Sequence, residues 1–180
     1  MGAPAERVLT VVAGGGDSAR DWVFALAEGG LDATRHGPVT LVVGAAFPER
    51  ERLERCCRAA GFTLLSGLPA TRLAARMAAS SAVLVTGGMV AYEAAAVGVP
   101  AVINPLLDDM REEIAAFAAA GAALDLQGGG MDMARIDAAL SSLMDNRERA
   151  HTMSQRQRTL VDGRGLARCA AILDSLLERP

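Results

Sequence analysis

The sequence predicts an α/β fold: a doubly wound, six-stranded parallel sheet of the Rossmann-like type, with further helices at its C-terminal end. Short β-branched runs alternate with longer alanine-rich stretches of helical spacing along the 180 residues. The six short runs show almost no in-out alternation, which implies strands covered on both faces. Glycine and proline fall at the joints, where they end helices or open helices and strands.

Taken in order, the first strand is expected over Val8 to Ala13, leading through Gly14-Gly15-Gly16-Asp17-Ser18-Ala19 into a helix near Ser18 to Glu28. Thr40 to Gly44 forms the second strand; Pro48 opens a helix that runs to Ala60, where Gly61 ends it. Thr63 to Leu65 is the third strand, and Pro69 suits the start of a helix over Thr71 to Ala79. Ala82 to Thr86 is the fourth, followed by Gly87-Gly88 and a helix from Met89 to Val97 that Gly98 terminates. Pro100 suits the first position of a fifth strand, Ala101 to Ile103, where its missing N–H matters least. A helix over Asp109 to Ala120, a sixth strand over Ala122 to Leu124, a loop at Gly128-Gly129-Gly130 and a helix from Met131 to Met144 complete the alternation. Right-handed crossovers then wind the sheet doubly. Asn146 to Leu177 makes one or two helices broken at Asp162-Gly163-Arg164-Gly165, and the tail over 146–178 is expected to pack back on the sheet, so that 1–180 form one domain.

Composition removes several function classes. With 51% apolar residues the chain can bury one large core. Its longest apolar run, Ile114 to Leu124, is mostly alanine and far shorter than the roughly twenty residues of a membrane span. The N-terminus lacks a continuous apolar run after its first arginine, so a cytoplasmic protein without a transmembrane segment is expected. Net charge is −3, and the 18 basic residues, all arginine, interleave with acids, as in PERERLERCCR over Pro48 to Arg58. That is the pattern of a solvated helix face and argues against nucleic acid as a partner. Cys56, Cys57 and Cys169 lack metal-ligand spacing; the adjacent pair diverges by about 100 degrees on a helix, so all three read as reduced thiols in core or half-buried positions. His36 and His151 fall in polar connecting segments, which supports neither a metal site nor a histidine-based triad.

The most informative stretch is Leu84 to Pro105, LVTGGMVAYEAAAVGVPAVINP. A helix that starts right after a double glycine directs its free backbone N–H groups and positive dipole end beyond the strand tips, which makes a phosphate seat. Glu93, about one turn in, can reach back to accept hydrogen bonds from vicinal sugar hydroxyls, so a nucleotide fits better than bare phosphate. Close packing of helix on strand would also explain the glycines, and dipole compensation the acid. It is their pairing that points to a ligand.

Gly14-Gly15-Gly16-Asp17-Ser18-Ala19 formally matches G-x-G-x-x-A. The second strand, however, ends in Gly44-Ala45-Ala46 and not in the acid that a dinucleotide ribose needs, which argues against NAD and FAD. This loop either brings backbone N–H groups and Asp17 or Ser18 to the rim of a cleft, or is a tight turn with one of those side chains as helix cap. Asp108 and Asp109, just after the fifth strand, either cap the next helix or bind sugar hydroxyls. Arg168 pairs with an acid on the sheet, steers a phosphate or is simply a surface arginine.

The motifs V-V-A-G-G-G-D, L-V-V-G, T-G-G-M-V-A-Y-E-A-A-A-V-G-V-P, D-D-M and D-G-R-G-L-A-R, in this order, resemble the C-terminal, donor-nucleotide-binding half of the GT-B superfamily over essentially the whole chain. The sequence is most similar to the UDP-sugar hydrolases of pseudaminic acid biosynthesis and the related spore-coat polysaccharide proteins. It is more distantly similar to the N-acetylglucosaminyltransferase that forms lipid II and to the small soluble subunit of the two-part transferase of N-glycan assembly. The resemblance implies that Gly87 and Gly88 approach a diphosphate, that Glu93 takes the ribose hydroxyls, that Asp108 lies near the sugar and that Gly14 to Asp17 line the cleft floor. Met89 stands where these families carry Ser or Thr, and Asp109 and Met110 where they carry Asn and Gln. A phosphate-binding hydroxyl and two amides are thereby replaced by thioethers and a charge.

The resemblance places the acceptor pocket and the catalytic histidine in another half, and so assigns no catalytic residue here. The expected function is to bind UDP or a UDP-sugar, without a cofactor or metal, for a hydrolase of nonulosonate or surface-polysaccharide biosynthesis. A companion N-terminal GT-B-half chain or a homo-oligomer is the expected protein partner. The alternatives are the donor-binding subunit of a glycosyltransferase and a non-catalytic scaffold module.

Overall fold

A computed structural model of the chain describes residues 7–14, 17–126 and 131–177. Gly15, Gly16 and Gly128 to Gly130 lie outside the described residues. Six strands, β1 (Leu9–Val12), β2 (Val39–Val43), β3 (Thr63–Ser66), β4 (Ala82–Val85), β5 (Ala101–Ile103) and β6 (Leu124–Asp125), pair in parallel in the order β3-β2-β1-β4-β5-β6. This is the doubly wound sheet that the unalternating apolar runs predict. Every residue of β1, β2, β4 and β5 is buried, because helices cover both faces. Leu9, Val11, Leu41 and Leu84 join Trp22, Leu53, Ile136 and Leu140 on one side, while Val12, Val83, Val85 and Ile103 join Met77, Ile114 and Phe117 on the other.

The helices fall close to their expected places: α3 (Arg50–Ala60), α4 (Ala70–Ala78), α5 (Met89–Val97), α6 (Arg111–Ala119), α7 (Met133–Met144), α8 (Arg147–Leu160) and α9 (Gly165–Leu177). The strand expected at Ala122 shifts to Leu124, since the Ala122 N–H still bonds to the Phe117 carbonyl and belongs to the end of α6. The helix expected from Ser18 to Glu28 is broken up. A 3₁₀ turn over Asp17–Ala19 precedes α1 (Arg20–Ala25), and a π-turn over Leu26–Gly30 follows, where Gly29 adopts φ 117.

A short helix that the sequence pattern does not suggest, α2 (Ala33–His36), begins where the Asp32 carboxylate accepts the Thr34 N–H at 2.8 Å. It corrects the expectation for His36, which is fully buried and holds Asp137 of α7 at 2.6 Å through Nε2. Arg35 closes on the same carboxylate. Since α2 leads into the amino end of β2, this pair braces the sheet end opposite to the one where ligands of open α/β sheets bind. Asp137→Ala, which strands the buried imidazole, is expected to lower the unfolding free energy by about 1–3 kcal/mol in denaturant titration.

The tail packs back only in part. Met153 and Gln157 of α8 are buried. Ser154 Oγ donates to the Gly98 carbonyl at 2.6 Å, and Arg158 Nη2 to the Val97 carbonyl at 3.0 Å. The tail thereby satisfies the carbonyl end of α5, and Arg158 brings positive charge to the negative end of its dipole. By contrast, every residue of α9 is exposed, where the tail over 146–178 was expected to pack back on the sheet. Cys169 lies on α9 and is exposed as well, whereas Cys56 is half-buried and Cys57 buried as expected. Among the described residues, no helix is long and apolar enough to cross a membrane.

Candidate functional site

The order of the sheet reverses between β1 and β4, and connections leaving these neighbours diverge to opposite faces, which opens a crevice at their carboxyl ends. Register fixes what meets there. Val12 pairs with Val85, so Ala13-Gly14 and Thr86-Gly87 leave the sheet side by side. A cavity of about 340 Å³ lies at this point, within the span of roughly 300–1,000 Å³ usual for small-ligand sites. Gly14, Gly87, Gly88, Met89 and Glu93 line it together, as the sequence suggests.

The two glycines form the sharp turn from β4 into α5. Gly87 has φ 96, and Gly88, the residue before the helix, has φ 65 and ψ −148. Space alone does not demand glycine: a Cβ on Gly87 would lie 3.4 Å from Met110 Sδ, and one on Gly88 3.6 Å from Met110 Cε, both ordinary contacts. The dihedrals do demand it, since side chains rarely adopt them. No side chain caps the start of α5. The Ala91 N–H bonds to the Gly88 carbonyl at 2.9 Å, while Met89 and Val90, the first residues of the helix, line the cavity, where the positive end of the dipole, about half a charge, lies. Ala91, Ala94 and Ala95 are buried and let the helix approach the sheet closely, while Glu93, one turn in, is half-buried on the cavity wall.

The other wall is apolar. Leu73 of α4 and Leu106, Leu107 and Met110 from the segment after β5 close it, and Met89 stands 76% exposed at the rim. These leucines were not singled out in the sequence; they lie in connecting turns whose inward face is set by the fold. Thr86 and Ser18 supply hydroxyls to the same lining as the Glu93 carboxylate. The backbone of Asp17 opens the 3₁₀ turn next to Gly14.

Asp108 and Asp109 depart from the expectation that they reach the ligand. They belong to a 3₁₀ turn, Asp108–Met110, whose rotation places Met110 against the cavity and turns the acids out. Asp108 pairs with Arg111 Nε at 2.7 Å and is 90% exposed; Asp109 lines a separate groove beside Tyr92. Arg168 is also remote, bound to Asp162 at 2.6 Å. Among the described residues, no three His, Cys, Asp or Glu side chains gather to hold a metal ion. Among its described lining, the cavity thus offers backbone amides at the start of α5, which can take an anion, and the Glu93 carboxylate, which can accept hydrogen bonds from hydroxyls. It presents no base–nucleophile pair among its described lining.

This architecture is the C-terminal half of a GT-B fold. Residues 63–157, more than half of the chain, match the UDP-glucoronosyl and UDP-glucosyl transferase family, and the chain belongs to that family. The chain is 30% identical over 141 residues to the spore coat polysaccharide biosynthesis protein SpsG of Bacillus subtilis, an alignment spanning 77% of this chain and 41% of SpsG. Its fold is shared with the calicheamicin glycosyltransferase CalG4 (TM-score 0.71, 20% identity, 98% of this chain and 43% of CalG4). It is also shared with S. aureus MnaA in its complex with UDP (TM-score 0.70, 14% identity, 97% of this chain and 48% of MnaA). The chain therefore spans less than half the length of each of these proteins.

Proposed function

We propose that the chain is the nucleotide-sugar-binding half of an enzyme of surface-polysaccharide biosynthesis, with a UDP-sugar as ligand and hydrolysis of that sugar as the reaction. The observation that carries the reading is the uncapped start of α5 opening into the crevice with Glu93 on the same wall. The amides after Gly87 and Gly88 hold the diphosphate, and the Glu93 carboxylate accepts the two ribose hydroxyls. Gly14 lines the floor, and Met89 the rim. The family's UDP-transferase description, the role in SpsG's name and the UDP in the MnaA structure support uracil as the base and polysaccharide assembly as the setting.

In this reading the chain anchors the leaving group. Water activated by a companion half attacks the anomeric carbon, the bond to the diphosphate oxygen breaks, and UDP departs with the electron pair. Binding energy on the remote nucleotide holds the reacting bond in line. Transfer to a sugar acceptor in place of water uses the same half. Met110 beside Gly87 and Gly88 favours a second reading, a scaffold that keeps the fold without donor binding, because thioethers give phosphate oxygens no hydrogen bond.

Thermal unfolding with UDP separates the two. UDP at about 100 times its dissociation constant is expected to add about 2.7 kcal/mol, which for a chain of this size raises Tm by about 5–11 °C. Absence of any shift with millimolar UDP or other nucleoside diphosphates would leave the scaffold.

A further inference from the structure

Helix α5 and the 3₁₀ turn over Asp108–Met110 each serve two cavities. Glu93 and Met110 line the crevice, while their chain neighbours Tyr92 and Asp109 line a separate groove of about 550 Å³. Phe117 of α6 meets the Tyr92 ring edge-on at 5.1 Å, and Glu112 and Glu113 of the same helix line the groove with it. Tyr92 remains 40% exposed there, and Leu160, the last residue of α8, 49%. Aromatic and apolar surface thus stays open to solvent in one lining with three carboxylates.

Among the described residues, none of Asp109, Glu112 and Glu113 forms an ion pair. Glu113 Oε1 is buried without a hydrogen-bond partner. The arginines of the adjoining segments are engaged elsewhere: Arg111 by Asp108 at 2.7 Å, Arg158 by the Val97 carbonyl at 3.0 Å and Arg168 by Asp162 at 2.6 Å. Arg164 is exposed and outside the lining. Burial, and after it the Glu113 carboxylate, raise the Tyr92 phenol above its ordinary value, so ring and acid lie close while the phenol stays neutral. Like charges gathered without a cation repel one another, and a buried carboxylate oxygen without a donor costs free energy. A bound cation relieves both.

A guanidinium matches this lining better than an ammonium. It is planar and weakly hydrated, stacks on an aromatic face and forks onto carboxylates, whereas an ammonium is a strongly hydrated point charge. Leu160 and Val161 give apolar surface to whatever flanks the cation. We propose that the Tyr92–Glu113 groove is the docking site for a segment of a partner protein that carries an arginine between apolar residues, with its guanidinium against Tyr92 and the carboxylates of Glu112 and Glu113. No residue of the groove lines the crevice, so the inference does not rest on the nucleotide reading.

Titration of the nitrogen-labelled chain with the blocked peptide acetyl-Leu-Arg-Leu-amide tests this against two controls. Its citrulline analogue keeps the shape and loses the charge; propylguanidinium keeps the charge and loses the apolar neighbours. The arginine peptide is expected to move the amide resonances of Tyr92, Glu113 and Phe117 saturably. Both controls, and the arginine peptide on Glu112→Gln/Glu113→Gln, are expected to bind about tenfold more weakly or worse. No movement at millimolar arginine peptide overturns the proposal. So does equal affinity for the citrulline peptide, which makes the groove merely apolar, equal affinity for propylguanidinium, which makes it a site for a free cation, or undiminished affinity in the double variant, which places the cation elsewhere. The two ligand controls use the unsubstituted chain, so they decide the matter even where the double variant unfolds.

Discussion

Glu93→Ala is expected to remove nearly all of the stabilisation that UDP confers, with little change in the unliganded protein. Alanine is the strongest helix former, and Glu93 makes the wall of a cavity and is not part of the packed core, so α5 tolerates the change. The liganded state loses the charged acceptor of the ribose hydroxyls. One charge-assisted hydrogen bond is worth about 1.5–3 kcal/mol, or about a ten- to hundredfold loss in affinity, and this carboxylate is positioned to make two. At a UDP concentration that gives the wild type about 2.7 kcal/mol, a hundredfold weaker variant keeps about 0.4 kcal/mol. Differential scanning fluorimetry of the two proteins checks this. An undiminished UDP shift in Glu93→Ala would remove the ribose contact from the site.

Gly88→Ala is expected to lower stability and binding together. At φ 65 and ψ −148 an alanine is strained by about 1–3 kcal/mol, and relaxing that strain rotates the Met89 amide, which in the proposed function holds the diphosphate. Gly61→Ala is the control. Gly61 ends α3 with φ 72 and ψ 23, its Cβ would meet nothing within 4 Å, and it is not part of the crevice. Both substitutions are expected to reduce unfolding free energy, Gly61→Ala by about 1–2 kcal/mol, but only Gly88→Ala is expected to reduce the UDP shift. Equal UDP shifts in the two variants would mean that the glycine turn serves packing alone.

What was legible in the sequence was what local chemistry decides. The helix Met89–Val97 and the strand Ala101–Ile103 fall where Gly88, Gly98 and Pro100 bound them, because a glycine at positive φ or a missing N–H acts within one residue of itself. The gathering of Gly14, Gly87, Gly88, Met89 and Glu93 round one cavity was legible for a related reason: parallel strands deliver their following turns to the same edge. What distant contacts decide was not legible. His36 is buried by Asp137, about a hundred residues further on, and the polarity of its neighbours gave no sign of it. Asp108 and Asp109 turn outward because Met110 packs against the glycine turn, a choice between faces of a single 3₁₀ turn. The tail was expected to pack back on the sheet, yet every residue of α9 is exposed.

In the proposed function the start of α5 seats a nucleoside diphosphate. Following backbone amide resonances of the nitrogen-labelled chain during titration with UDP tests it most directly. The largest changes are expected at Gly87, Gly88, Met89 and Glu93, with Gly61 and the residues of α9 unmoved. Resonances that stay fixed at millimolar UDP, or changes clustered instead in the groove beside Tyr92 and Phe117, would contradict it.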